Sequence, residues 1–299
     1  MSAPAIVVSD LSFAWPDGEV VLSGLDIAFG AGRTGLIGAN GSGKSTLLRL
    51  IAGELRPTAG TVRALGPVGY LPQTVALHAD RTVAELLGVA AERRALRAVE
   101  AGDASAIADV GDAWDIEERA AAALARFGLT TNLDRRSDTL SGGEAVLTGL
   151  AGVLVRRLPV TLLDEPTNNL DRRARELLYD AVAQWSGVLV VVSHDRELLE
   201  LLDATAELRA EAVRTFGGPL SAYEAQLAAE QDTAQRLVRV AEADVRRERR
   251  ELIEARTKLA RRVRYADTDH ANKRKPKDFL HRIGTQRWWS TDDGRPADA

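Results

Sequence analysis

Two stretches of the chain are apolar without alternation: VTLLD at 160–164 and VLVVVS at 188–193. Runs this short with no polar face predict strands buried on both sides, as in a parallel sheet covered by helices. The segment between them, DRRARELLYDAVAQW, carries a helical period. Upstream, residues 5–38 break at Gly and Asp turns into AIVVSDLSFAW, EVVL, LDIAF and RTGLIG, each predicting a strand. STLLRLIAG predicts a helix closed by Gly53, and GTVRAL and VGYLPQ predict two more strands. Across 82–128 the pattern turns helical, with a polar Gly/Asp break near 102–112, which predicts a helical insert.

From Leu220 to Tyr265 there is no strand signal. Val238, Val245, Leu252 and Leu259 recur every seven residues, Ala241 and Ala255 take intervening d-like positions, and Glu248 and Arg262 interrupt that second row. The spacing predicts a long helix with a thin apolar seam, one arm of an antiparallel helical pair, against the plainer alternative of a solvated charged helix. The segment 266–299 reads as a poorly ordered or truncated tail, since RWWSTDDGRPADA has no regular period.

Composition narrows the classes. A chain of 299 residues predicts about two domains. It has no cysteine, which excludes a disulfide framework and any thiolate metal site. The start, MSAPAIVVSD, lacks a basic region followed by an apolar stretch, and no apolar run approaches the roughly 20 residues that span a bilayer. The expectation is a cytoplasmic protein without a membrane-spanning segment of its own. The formal net charge of −4 hides an asymmetry: Gln235–Gly284 holds 16 Lys/Arg against 8 Asp/Glu. That local excess of positive charge predicts a polyanionic partner.

Three short motifs carry chemistry. GANGSGKS, Gly38–Ser45, fits G-x-x-x-x-G-K-[ST] between a strand and a helix. Gly41 and Gly43 let the backbone curl so that amides point at phosphate oxygens, Lys44 is a point charge for the β/γ-phosphates, and the Ser45 hydroxyl is a Mg²⁺ ligand. A chance Gly-rich turn is the plain alternative, and the strand–loop–helix context argues against it. In VTLLDEP, Asp164 ends a buried strand where a carboxylate can hold Mg²⁺, and Glu165 beside it is a candidate base for water. LSGGE, residues 140–144, puts Ser141, Gly142 and Gly143 at the head of an apolar helix, a cup for an anion because free amides and the helix dipole favour negative charge.

In these motifs, in this order, residues 3–217 resemble the ATP-binding cassette (ABC) proteins. The resemblance implies an α/β P-loop fold with a β subdomain, a parallel core sheet and a helical subdomain, followed here by a long basic helix, and it implies ATP and Mg²⁺ as cofactors. Trp15 matches the ring that stacks on adenine, with Phe13 as the other candidate. Gly38, Asn40, Gly41, Ser42, Gly43, Lys44, Ser45 and Thr46 match the Walker A loop. Gln73, in GYLPQ, matches the glutamine that touches Mg²⁺ and the attacking water. Asp164 and Glu165 match Walker B and the catalytic glutamate, NNLD ending at Asp171 matches the D-loop, and His194 matches the switch histidine at the γ-phosphate. LSGGE is the family signature, which in this family closes over the γ-phosphate of a second cassette; it implies a homodimer or a cassette on a separate chain.

Four features resemble the ABC-F branch, whose members act on ribosomes: EPTNNLD, the Trp114–Asp115 pair inside GDAWDIEERAAAALARFGL, the segment FGGPLSAYEAQ, and the basic helix, which is similar to a linker reaching tRNA and rRNA. The implied domains are a cassette at 1–218, with its helical subdomain at about 74–158, a basic linker at 219–265 and the tail at 266–299. Two departures stand out. Where the family has basic or Gln residues after the signature, and an Arg further on, this chain has Ala145, Val146, Leu147 and Gly152. Members of the branch carry two cassettes, so a truncated, split or frameshifted gene is expected. The branch implies an ATPase needing a cassette dimer, as a translation factor or in antibiotic resistance. The competing readings are a transporter's ATPase subunit, which rarely needs a long basic helix, and a nucleotide-binding fragment without turnover.

Overall fold

The computed structural model describes residues 5–74, 81–129, 132–209 and 212–273, with side chains described to Asp267. Contacts divide the chain into two units, with the boundary after Ala228. In the first unit the described elements run β1 (Ile6–Ala14), β2 (Val20–Phe29), β3 (Gly32–Ile37), α1 (Lys44–Ile51), β4 (Ala59–Ala64), β5 (Val68–Leu71), α2 (Val83–Leu87), α3 (Ala90–Glu100), α4 (Ile107–Val110) and α5 (Ile116–Arg126). They continue with α6 (Gly142–Arg156), β6 (Val160–Asp164), α7 (Arg172–Ala183), β7 (Val188–Val192), α8 (Arg196–Glu200), β8 (Ala204–Arg209) and β9 (Ala212–Gly217). A last helix, α9 (Leu220–Lys273), starts in the first unit and makes up the described part of the second.

Two sheets result. β2, β1 and β4 form a three-stranded antiparallel sheet, and the other six strands line up as β5-β6-β7-β3-β8-β9. That larger sheet is parallel except for β9, which runs antiparallel to β8 at its edge. Every residue of β6 and of β7 is buried, as their unbroken apolar runs predict. One core lies between the two sheets and α1, built from residues such as Ile6, Leu11, Leu25, Leu36, Leu47 and Leu162. The other joins the opposite face of the large sheet to the helices α2 to α7, through Leu87, Leu124, Leu150, Leu163 and Leu178.

The structure corrects several sequence expectations. EVVL and LDIAF are one strand, β2, whose pairing with β1 shifts register; Gly24 at φ +59° sits in it and its amide donates to the Ser12 hydroxyl. The strands β8 and β9 were not anticipated, because charges interrupt their short apolar runs at the sheet edge. The break near 102–112 contains a 3₁₀ turn at Ala104–Ala106 and the short α4. The basic helix continues past 265 to Lys273; the rest of the expected tail, and residues 75–80 of the helical subdomain, lie outside the described residues.

The positions where the sequence departs from the pattern it resembles are core positions. Ala145, Val146 and Leu147 are buried on α6. At Gly152 a Cβ would come within 2.4 Å of the Leu87 carbonyl oxygen and 2.7 Å of its Cα, so α2 crosses α6 at a distance only glycine permits. Buried Arg93 closes the outer side of this helical layer with carboxylates from two other segments, Glu117 and Asp134. That guanidinium holds the Asp134 carboxyl down at about 2. Gly152→Val should cost about 1–3 kcal/mol by forcing α2 away from α6, read as a lower denaturant midpoint in tryptophan fluorescence; an unchanged midpoint would contradict the close crossing.

Candidate functional site

The parallel strands set the site because they end together. Asp164 pairs with Val192 as the last residues of β6 and β7. The next residue of β6's chain, Glu165, donates its amide to the Val192 carbonyl at 2.8 Å and adopts φ +49°, an uncommon conformation for a non-glycine residue. That turn aims its carboxylate across the sheet edge toward the residues after β7. One oxygen lies 3.2 Å from His194 Nε2 and the other accepts the His194 amide at 3.3 Å. Burial pushes the Glu165 carboxyl above the usual glutamate range, with His194 opposing the shift.

β3 delivers the Gly-rich loop to the same edge. Two glycines there are sterically required: a Cβ on Gly38 would meet the Leu208 carbonyl oxygen at 2.5 Å, and one on Gly43 would meet Leu22 at 2.9 Å, with φ at +154° and +93°. Gly43 is the N-cap of α1, so the helix opens directly from the loop, and Ser45 and Thr46 occupy its first turn. Lys44 is buried and its ammonium donates to the carbonyls of Gly38 and Ala39, both at 2.9 Å. Burial lowers its pKa, while Glu165 and Asp164 pull the other way. The Ser45 hydroxyl donates to Asp164 Oδ1 at 3.0 Å, and the Tyr70 hydroxyl donates to Asp164 Oδ2 at 3.3 Å. Burial raises the Asp164 carboxyl's pKa as well.

An open cleft of about 1260 Å³ is lined by Asn40, Gly41, Lys44, Ser45, Gln73, Glu165 and His194; Asp164 and Tyr70 are not part of its lining. Arg172, Arg175 and Arg196 also line it among the carboxylates of Glu176, Asp195 and Glu197, with Arg172 paired to Glu176 and Arg196 to Glu224, a mixed-charge rim that motif reading did not single out. A second feature missed in the sequence is a set of hydroxyl contacts made by the residues on either side of His194. Thr167 Oγ1 lies 3.4 Å from Ser193 Oγ, which accepts the Asp195 amide at 3.1 Å, and the Tyr179 hydroxyl donates to Asp195 Oδ2 at 2.6 Å. Asp195 also caps α8.

Other expected site residues lie elsewhere. Trp15 follows β1, half-buried, with its ring edge-on to buried Phe13 at 4.9 Å, and it does not line the cleft. Asp171 caps α7 by accepting the Ala174 amide at 2.8 Å. Ser141, Gly142 and Gly143 open α6 outside the cleft lining. Ser141 and Glu144 form a reciprocal capping box, at 3.2 and 2.8 Å, which the S-x-x-E spacing spells out. The Cβ positions of Gly142 and Gly143 fall 3.7–3.9 Å from Asn169 and Leu170, so this helix start packs on the loop after β6.

The residues present fit a nucleoside triphosphate with a hard cation. Ser42 Oγ is buried with no partner, inside the loop where phosphate oxygens would arrive. A hydroxyl and a carboxylate, Ser45 and Asp164, already share one point, the donor pair Mg²⁺ takes beside phosphate. Among the described residues no group of three or more His, Cys, Asp or Glu could hold a metal by itself.

A loop-and-helix phosphate cradle at the carboxyl edge of a parallel sheet, with carboxylates at the next strand ends, defines a P-loop nucleotide-binding protein. The ABC transporter family model matches residues 22–168, and a biotin transport ATP-binding protein of Rhizobium etli is 32% identical over 75% of this chain and 92% of its own length. The chain belongs to the ABC family of ATP-binding proteins. The tylosin resistance ATP-binding protein TlrC of Streptomyces fradiae is 40% identical over 78% of this chain, which spans about half (48%) of that relative. The solved ATP-binding subunit of an ABC transporter superposes with a TM-score of 0.56 at 24% identity, covering 75% of this chain and 93% of that one, and shows the shared fold. No helix among the described residues is long and apolar enough to cross a membrane.

Glu165→Gln tests the electrostatics directly. A carboxyl whose pKa is raised on folding favours the fold at low pH and loses that contribution as pH rises through the folded value. The variant should therefore be more stable than the native chain at neutral pH, the gain fading as pH falls toward the ordinary glutamate value of 4.5. A pH-independent difference in unfolding midpoint would show that the carboxylate is not desolvated.

Proposed function

We propose that the cleft binds ATP with Mg²⁺ and that the chain hydrolyses it when a second cassette closes over the bound nucleotide. The observation that carries this reading is the convergence of two pairs at adjacent strand ends: Ser45 with Asp164, and Glu165 with His194. Lys44 and the loop amides, with Gly38, Asn40, Gly41, Ser42, Gly43 and Thr46, would take the phosphates. Ser45, Asp164 and Gln73 would hold Mg²⁺, which when bound neutralises phosphate charge. Glu165 accepts a proton from water, a task its raised pKa suits. His194 orients that carboxylate and faces the γ-phosphate, and Trp15 stacks on adenine from outside the described lining. Ser141, Gly142, Gly143 and Asp171 act on a second cassette's nucleotide, a reading their position outside this cleft supports.

Within the family we assign the chain to the ABC-F branch, acting on ribosomes through the basic helix as a translation factor or in antibiotic resistance. The EPTNNLD and Trp114–Asp115 motifs, the basic helix and the likeness to a tylosin resistance protein support it. A second reading, a transporter's ATPase subunit, is favoured by the biotin transport relative, which matches over nearly its whole length.

Lys44→Ala removes a charge-assisted phosphate contact and should weaken ATP binding by about 1.5–3 kcal/mol, roughly 10- to 150-fold. Equal affinity by calorimetry would rule out this cradle. For the partner, ATP-loaded Glu165→Gln chain should co-sediment with ribosomes at low salt, as expected when cations neutralise RNA phosphates. Reversing Arg246, Arg247, Arg249 and Arg250 to Glu should abolish that binding and leave ATP affinity alone. If the reversed chain still sediments with ribosomes, the helix is not the RNA contact.

A further inference from the structure

Tyr70 reaches the functional site from behind the cleft. β5 pairs with β6 from Val68↔Val160 to Leu71↔Leu163, which sets Tyr70 beside Leu162. Side chains alternate along a strand, so Leu162 and Asp164 share one face of β6. On that face Leu162 packs in one core with Leu47, Leu48 and Leu50 of α1, and the half-buried Tyr70 ring joins it. The Tyr70 hydroxyl meets Asp164 Oδ2 at 3.3 Å, while Ser45 of α1 holds Oδ1 at 3.0 Å. A carboxylate can only accept, so both hydroxyls donate. Neither Tyr70 nor Asp164 lines the cleft, which leaves this contact on the inner side of its wall.

A single donor leaves the plane of a carboxylate loose, because the torsion about its Cβ–Cγ bond is broad. A second donor on the other oxygen, anchored in a different strand, fixes that plane. We propose that Tyr70 is a positioning residue for the divalent cation that accompanies the nucleotide: its hydroxyl holds the Asp164 carboxylate so that the cation meets a preset oxygen. The inference rests on the proposed Mg²⁺–ATP site and adds to it a residue that no motif spacing marks. Outer partners that orient ligating carboxylates are worth about 10- to 100-fold in metal affinity. A contact of 3.3 Å is longer than the usual hydroxyl–oxygen bond, which places the expectation at the lower end. The same segment runs on from Leu71 to Gln73, which lines the cleft, so one strand end both steadies the carboxylate and presents the glutamine. The plain alternative is a packed ring whose hydroxyl takes the nearest acceptor. The two differ in what happens to the metal.

Titrating Mn²⁺ into the full chain loaded with a non-hydrolysable imido analogue of ATP, followed by electron paramagnetic resonance, reads the cation directly. Tyr70→Phe keeps the ring and removes the hydroxyl. It should weaken Mn²⁺ binding about 10-fold. Its affinity for the analogue in EDTA should be unchanged, which also shows that the variant is folded. In an Asp164→Ala background the same substitution should add no further loss, since the carboxylate it orients is gone. Unchanged Mn²⁺ affinity in Tyr70→Phe, a loss of metal-free analogue affinity of the same size, or a full second loss on top of Asp164→Ala would each overturn the proposal. If Asp164→Ala binds Mn²⁺ as the native chain does, the proposed metal site fails and the role of Tyr70 falls with it. A loss in Asp164→Ala but not in Tyr70→Phe overturns the role of Tyr70 alone.

Discussion

β6 and β7 leave the sheet at the same height, and the carbonyl of Val192 takes the amide of Glu165. Because both strands are buried on both faces, their register cannot slip without exposing apolar side chains or stranding backbone polar groups. The positive φ of Glu165 is held by that frame, which is how a conformation costing about 1–3 kcal/mol persists. One hydrogen-bonded strand pair thus brings together Asp164, Glu165, Ser193 and His194. The neighbouring β3, paired with β7 from Gly32↔Val188 to Leu36↔Val192, adds the phosphate loop at the same edge. The cleft is therefore a consequence of where three parallel strands stop.

Burial at that edge sets the electrostatics. Lys44 loses water and its pKa falls; Asp164 and Glu165 lose water and theirs rise. Each of the three charged forms is disfavoured by the same desolvation; the ammonium and the two carboxylates offset one another in part, while Asp164 pushes Glu165 further up. A polyphosphate with a divalent cation would supply what each lacks: negative oxygens for the ammonium and a positive charge for the carboxylate. Desolvation of these charges opposes the stability their hydrogen bonds contribute, the usual relation between stability and function at such places.

Much of this was legible in the chain. The buried strands announced themselves as unbroken apolar runs, and the phosphate loop by glycine spacing that the packing of Leu208 and Leu22 now explains. What stayed hidden followed from contacts between segments distant in sequence. Nothing local shows that Gly152 admits the backbone of Leu87, or that Tyr179 reaches Asp195. The β8–β9 hairpin was missed because an edge strand can carry charge on its open side, so AVRTFG has no strong period. Ser23 and Gly24 looked like a turn and are an irregularity inside one strand, since Gly24 takes φ +59° without ending the ladder. The S-x-x-E box at Ser141 was readable from spacing alone, although two glycines fill the positions between its ends.

That box sharpens what the helix start can offer an anion. The Ser141 hydroxyl already accepts the Glu144 amide, and the Glu144 carboxylate accepts the Ser141 amide, so the cap is closed within the chain. Backbone hydrogen bonding in the Glu144 carboxylate's own loop keeps its pKa low, which fixes a negative charge beside the helix start. The amides of Gly142 and Gly143 keep no carbonyl partner inside the helix, as at any first turn. A phosphate approaching α6 would therefore be met by those two amides, and by the hydroxyl proton of Ser141 only in exchange for its bond to the Glu144 carboxylate. It would also meet the repulsion of Glu144, partly countered by Arg135 at 3.7 Å. Two amides, one hydroxyl and an opposing carboxylate make a weak anion site alone. In the two-cassette arrangement proposed above, their contribution would become large only where Lys44 and a metal ion of the other cassette had already localised the phosphate.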